Sequence, residues 1–484
     1  MSENKFYITT AIDYMNAPPH IGHAFEKIQT DARARYQTLL GNDVYFLTGT
    51  DDHGIKIVRT AHDAGKEVRE FATENANIFR ELLDLLTISN NDFIRTSDRE
   101  HHWPGALKLW NKLVESNDIY KSAYKGFYCV GCEAYITEKE LVEEKCCIHD
   151  TKPEVIEEEN YFFKLSKYAV ELIEKIQSNE LLIVPESRKN EVLRMLDEGL
   201  EDISFSRPKE KLNGWGIPVP GDESQLIYVW CDALSNYITG LGYGSDNTEL
   251  FDTYWPADVH VIGKDIVRFH AIYWPAMLLS AGLPLPKTIL VHGMIISGGK
   301  KMSKSLGNVI DPYKLINTYG AEALRYYLLR EVSSLEDGDM TEEKFKETYN
   351  ANLANGLGNL VSRILKMSSS YGVEIDHNEL ESTEHVMKDA QEYRNAFDSY
   401  KINDAADKVW EMIGALDQRI AEKEPYKLIK TDEDAAKNEV EYLLHELWRI
   451  SILLSPFLPT TSIKIKSLIK ENKTPDKPLF LRME

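Results

Sequence analysis

The spacing of apolar positions changes period several times along the chain. An apolar run, Phe6-Tyr7-Ile8-Thr9-Thr10-Ala11, reads as a buried strand and is followed by Pro18-Pro19-His20-Ile21-Gly22-His23-Ala24. A helical stretch then runs over about 25–40 and stops at Gly41. A second strand, Val44–Leu47, leads into Thr48-Gly49-Thr50-Asp51-Asp52-His53-Gly54. Apolar residues then recur with a helical period over about 64–87 and 100–117, the pattern of helices covering a sheet. Glu157–Lys164 reads as a further strand, and 165–215 as helix followed by loop. The second half of the sheet is expected to begin at Gln225-Leu226-Ile227, with later strands near Val259–Ile262 and Thr288–Gly293. Two helices are predicted within 313–350, broken by the charged segment Leu335–Asp339, and from 351 onward the pattern is helical throughout.

Strands alternating with helices, then helices alone, predict an α/β doubly wound parallel sheet followed by an all-α bundle. The expected divisions are a first half of the sheet domain (1–116), an insertion (117–224), the second half (225–320), linking helices (321–350) and a helical domain (351–484).

Composition alters this picture little. With 43% hydrophobic and 28% charged residues over 484 positions, a folded chain of two or three domains is expected. No apolar run approaches the ~18 residues of a membrane span. The N-terminus carries no charged-then-apolar leader, so a cytoplasmic location is expected. The net charge of −22 argues against indiscriminate nucleic-acid binding. Residues 351–484 carry 18 Lys and Arg against 23 Asp and Glu, so a polynucleotide partner is not predicted by charge there either.

Three stretches carry candidate chemistry. His20 and His23 lie one helical turn apart where the first strand opens into a helix, the place where such sheets bind nucleotides. Gly22 between them lets a ring or phosphate approach the backbone. Far downstream, Gly298-Gly299-Lys300-Lys301-Met302-Ser303-Lys304-Ser305-Leu306-Gly307 describes a cationic, hydroxyl-bearing loop able to close over a triphosphate. Four of the five cysteines crowd into 129–147. Cys129-x-x-Cys132 and Cys146-x-x-His149 offer four donors for one tetrahedral zinc ion (knuckle about 127–150). Cys147 could replace Cys146, although the two-residue spacing to His149 favours Cys146. A closed four-ligand set makes the metal structural.

His20-Ile21-Gly22-His23 and Lys301-Met302-Ser303-Lys304-Ser305, intact and in order, resemble the two signature motifs of class I aminoacyl-tRNA synthetases. Trp230-Cys231-Asp232-Ala233 resembles the Trp-x-Asp-Ala signature of the methionyl branch, and the zinc ligands fit it. The interval from His23 to Lys301, 278 positions, is too short for the editing domain of leucyl, isoleucyl and valyl enzymes. No cysteine precedes Cys129, unlike the cysteinyl enzymes.

The resemblance implies ligation of L-methionine to tRNA(Met) with ATP and Mg²⁺. It implies catalytic roles for His20, His23, Lys301 and Lys304, with Gly22, Gly263, Asp265 and Ser303 completing the ATP site. It places methionine against Ala11, Ile12, Tyr14, Asp51, Trp230, Ala233, Tyr237, Phe269, His270 and Trp274. It assigns anticodon reading to Asn359, Arg363 and Tyr426, where Tyr426 stands in the position of a usual Trp. The chain ends without the dimerising tRNA-binding module some relatives carry, so a monomer is expected.

Overall fold

The computed structural model describes residues 4–131, 134–136, 141–146, 151–302 and 308–484. Its central sheet is built from β1 (Lys5–Thr10), β2 (Asp13–Tyr14), β3 (Asp43–Asp51), β4 (Asp92–Arg95), β5 (Leu182–Val184), β6 (Val259–Gly263) and β7 (Thr288–His292). The order is β5-β7-β6-β1-β3-β2, with β4 also paired to β3, and every pairing is parallel. β1, β3, β6 and β7 are largely buried, which accounts for their nearly unbroken apolar runs. The sheet grows one way from β1 through β3 and the other way through β6. The crevice at the strands' carboxyl ends, where the order reverses, is the expected binding place in such a sheet.

The helix α1 (Ile21–Leu39) starts at this crevice and packs back along β1, β3 and β6. It is not a one-sided surface helix, since Glu26, Lys27, Gln29, Asp31 and Arg33 are buried along with its apolar residues. One face packs on the sheet and the other on the helices that follow residue 311. A single apolar cluster runs from Ile21 and Phe25 through Tyr326 and Val361 to Leu447 and Phe480. Among the described residues the C-terminal part holds no strand after Gly338–Asp339, as the pattern predicts, and its longest helices are Ile402–Lys423 and Glu433–Leu453.

The helices expected over 64–87 and 100–117 are Val68–Leu85 and Trp103–Glu115, and a further helix, Ile55–Asp63, precedes them. The expectation that the second half of the sheet opens at Gln225 does not hold. Asp222–Ile227 pairs antiparallel with Ser206–Pro208 and Pro218–Val219 in a separate three-stranded sheet, and β6 opens the second half instead. Alternation marks a strand but not its partner. Conversely β5, within the segment expected as insertion, joins the central sheet at its edge. The rest of that segment carries the long antiparallel pair Ile119–Cys129 and Glu154–Phe163. The break expected at Leu335–Asp339 contains the strand Gly338–Asp339, parallel to Ile295–Ser297. A Cβ on Gly293 would stand 2.2 Å from the Glu336 carbonyl group, so only glycine permits this approach. No described helix is long and apolar enough to cross a membrane.

Candidate active site

The carboxyl ends of β1, β3, β6 and β7 open into a cleft of about 1850 Å³, counted with its open mouth. His20 caps α1 from one side of it. Its Nδ1 accepts from the Gly22 N–H at 3.1 Å, and His23 Nδ1 accepts from the His20 N–H at 3.0 Å. The two rings stack with centroids 3.9 Å apart. A Cβ on Gly22 would lie 2.9 Å from the His20 ring, so the cap itself demands glycine here.

In each ring the accepting Nδ1 leaves the proton on Nε2. Both groups are held in that neutral form. Desolvation by the cleft walls lowers the His20 pKa, and burial, His20 and Lys27 hold His23 well below the ordinary imidazole value. Two uncharged N–H donors therefore stand at the positive end of a helix.

Behind them lies a buried charge cluster that the sequence reading did not single out. Lys27 Nζ donates to the Ala11 carbonyl at 2.9 Å, to Asp13 Oδ1 at 3.1 Å and to Glu26 Oε1 at 3.0 Å. The other Glu26 oxygen lies 3.1 Å from His292 Nε2. Burial raises the Asp13 pKa to about 7 despite Lys27, whereas Lys27 and His292 hold Glu26 below the usual carboxylate range against the effect of its own burial. Asp13, Glu26 and His292 all line the cleft. Nothing local marks Glu26 and Lys27, because only tertiary packing buries them.

An aromatic wall faces this cluster. Trp230, Ala233 and Tyr237 come from Val229–Leu234 and Asn236–Thr239, which break at Ser235 yet keep all three on the cleft. Phe269 and His270 come from a π-helical turn, Phe269–Tyr273. Trp230 and Phe269 stack with centroids 3.8 Å apart and planes at 2°. His270 Nδ1 donates to the Ile266 carbonyl at 2.9 Å, so its Nε2 accepts from the Tyr237 hydroxyl at 2.7 Å. Burial depresses the His270 pKa to about 4, which keeps this acceptor free of a proton. Such rings suit a soft thioether.

Ala11, Ile12, Tyr14, Asp51, Gly263 and Asp265 line the same cleft. Asp51 is buried and accepts from the His53 N–H at 3.2 Å. Trp274 does not line it. That ring is fully buried behind Tyr237, centroids 5.9 Å apart, and its Nε1 donates to His260 Nε2 at 3.3 Å.

Ile295–Ser297 and Lys300–Lys301 form a hairpin turned by Gly298 and Gly299, both at positive φ, and Met302 beyond it returns to line the cleft. Ser303 and Lys304 lie outside the described residues, as does the side chain of Lys301. Of the residues expected to bind zinc, Cys132 and His149 also lie outside them, together with Cys147. Cys129 and Cys146 are buried in one small cluster with Phe127 and Leu141. In the helical part, Asn359 is exposed at the start of the helix Asn359–Tyr371. Arg363, one turn on, donates to Asp417 Oδ1 at 2.5 Å on the helix Ile402–Lys423. Tyr426, 45% exposed, follows the end of that helix.

The parallel sheet, the paired neutral histidines at its crevice and the hairpin carrying Lys301 are those of a class I aminoacyl-tRNA synthetase, the class whose family model the chain matches. The family model described as "tRNA synthetases class I (M)" matches residues 6–146 and 131–365, and "Anticodon binding domain of methionyl tRNA ligase" matches 370–478. The chain is 44% identical to a methionine–tRNA ligase of Brucella suis, over 97% of its own length and 92% of that protein. It is 42% identical to one of Thermotoga maritima, over 98% of its own length and 76% of that protein. A solved Mycobacterium tuberculosis methionyl-tRNA synthetase in complex with methionyl-adenylate superposes with a TM-score of 0.88 at 39% identity, covering 96% of this chain and 94% of that one. This chain belongs to the methionyl-tRNA synthetase family.

Proposed function

We infer that the chain activates L-methionine with ATP and transfers it to the terminal adenosine of tRNA(Met). The methionine carboxylate attacks the α-phosphorus of ATP, the bond from that phosphorus to the bridging oxygen breaks, and pyrophosphate leaves. A ribose hydroxyl of the tRNA's last adenosine then attacks the carbonyl of methionyl-adenylate, and AMP departs. Such chemistry needs orientation and charge stabilisation more than covalent participation.

The observation carrying this reading is one cleft that holds both the stacked histidines and the Trp230–Phe269–Tyr237 wall. His20 and His23 are assigned to donate Nε2–H to the phosphates, Gly263 and Asp265 to border the ribose, and Asp51 to meet the substrate ammonium. Lys301 and Lys304 are assigned to the departing pyrophosphate, beside Ser303. Trp274 is assigned to support Tyr237 from behind. Mg²⁺ bound with ATP supplies charge neutralisation on the phosphate oxygens.

Buried Cys129 and Cys146, brought into one cluster, fit two thiolate ligands of a structural zinc ion, with Cys132 and His149 as the sequence-assigned remainder. Asn359, Arg363 and Tyr426 are assigned to anticodon bases, their amide, guanidinium and ring suiting unstacked nucleotides. A monomer in the cytoplasm is the proposed state. Incubation with methionine, α-labelled ATP and Mg²⁺ without tRNA tests the sequence of steps. The expected result is protein-bound methionyl-adenylate that adding tRNA converts to methionyl-tRNA and AMP; no labelled adenylate on the protein before tRNA is added contradicts it.

A further inference from the structure

A second cavity lies against the first, and the two share Val229 as a wall. The strand end that carries Asp51 into the cleft carries His53 into this neighbour. Its interior is aromatic, with Trp215 and the buried rings of Tyr128 and Tyr228. The Arg207 guanidinium sits over both tyrosines, 4.9 and 4.8 Å from their centroids, and is tied by Nη1 to Ser204 and to the Ser206 carbonyl. Arg59 and Lys211 line the cavity at solvent-exposed positions, and Arg59 grips Glu154 through two hydrogen bonds of 3.0 and 3.2 Å.

His53 is 2% exposed, and its Nδ1 lies 2.5 Å from Asp232 Oδ2. The other Asp232 oxygen lies 2.7 Å from His102 Nε2, whose Nδ1 lies 2.8 Å from the Thr239 hydroxyl. The two imidazoles hold Asp232 below the usual carboxylate range despite its burial, so it accepts and His53 Nδ1 donates. That fixes the tautomer and leaves His53 Nε2 as an acceptor. This atom is buried and has no hydrogen-bond partner among the described residues. A buried acceptor fixed in this way, in an aromatic cavity whose rim carries Lys211 and Arg59 beside Glu154 and Glu158, calls for a flat ring bearing an N–H group.

We propose that this cavity seats one of the two unpaired cytidines preceding the terminal adenosine of the tRNA. The base stacks against Trp215, its exocyclic amine donates to His53 Nε2, and its phosphates lie near Lys211 and Arg59. The terminal adenosine must reach the cleft in the transfer step, so the nucleotide before it passes close to the shared Val229 wall. Unpaired bases splayed onto aromatic rings are the usual target of RNA recognition. The inference rests on the tRNA-charging reading above.

The test compares the full-length chain with Trp215→Leu and Lys211→Glu in methionine-dependent ATP–pyrophosphate exchange without tRNA, and in tRNA charging. Exchange is expected to stay within about twofold in both variants. For Trp215→Leu, kcat/KM for tRNA is expected to fall about 5- to 150-fold, the worth of one stacked base. Lys211→Glu is expected to weaken charging several-fold, more at low salt than at high. With the unaltered protein, tRNA carrying uridine at one of the two cytidine positions is expected to be charged about tenfold less well, because uridine lacks the amine. That arm stands even if Trp215→Leu fails to fold. Unchanged charging by Lys211→Glu and of both uridine-bearing tRNAs overturns the inference, as does an equal loss of exchange and charging in the variants. Absence of exchange in the unaltered protein overturns the activity reading itself.

Discussion

His23 shows how one backbone contact sets a side chain's chemistry. The His20 N–H bonded to its Nδ1 fixes the Nε2–H donor, and burial keeps the ring uncharged. His23→Ala is expected to lower the ATP–pyrophosphate exchange rate ~10²–10³-fold, the loss typical of one preorganised donor. Melting of the same variant reports the separate cost of the lost cap contact, about 1 kcal/mol. His270 gives a pH dependence of definite sign. Its folded pKa of about 4 lies below the ordinary imidazole value of 6.5, so between those values the unfolded chain takes up a proton that the native one does not. The stability it contributes is fully present above pH 6.5 and is lost as pH falls towards 4, at about 1.4 kcal/mol per pH unit. Denaturant midpoints at pH 7.5 and 5.5 should therefore converge in His270→Gln relative to the unaltered chain. An unchanged gap counts against the assignment.

Among the elements, α1 joins substrate cleft to helical domain. Asp31 on α1 meets Arg325 at 2.6 Å, and both side chains are fully buried. Arg325 also donates to the carbonyls of Phe457 at 2.9 Å, Pro456 at 2.8 Å and Leu86 at 3.2 Å. Arg325→Leu leaves a buried carboxylate and three carbonyls without this partner. The expected cost is about 3–5 kcal/mol, read by chemical denaturation; a loss under 1 kcal/mol contradicts the role. This helix also marks where sequence reading stops. Its start, its glycine and its histidines were legible, because caps and close approaches are local. The burial of Glu26, Lys27, Asp31 and Arg33 was not, because their partners Asp13, His292, Arg325 and the Phe397 carbonyl come from elsewhere in the chain or from the opposite wall. The same limit explains Asp222–Ile227, a strand correctly expected but paired in another sheet, and β5, three residues too short to stand out. The aromatic wall was legible through Trp230, Ala233 and Tyr237, whereas Trp274 belongs to the layer behind it.

On the scale of the whole molecule, the apolar cluster from Ile21 to Phe480 makes the catalytic and helical parts one packed body. An overall charge of −22 argues against holding RNA by net charge, so the proposed contacts are local ones: Arg363, Tyr426 and the cations beside the second cavity. We propose that the cleft selects methionine by its aromatic wall and activates it through the paired histidines. ATP–pyrophosphate exchange, run with each of the twenty amino acids and no tRNA, tests it most directly. Exchange with methionine alone is the predicted result. Exchange driven by another amino acid, or none with folded, zinc-supplied protein, contradicts the account.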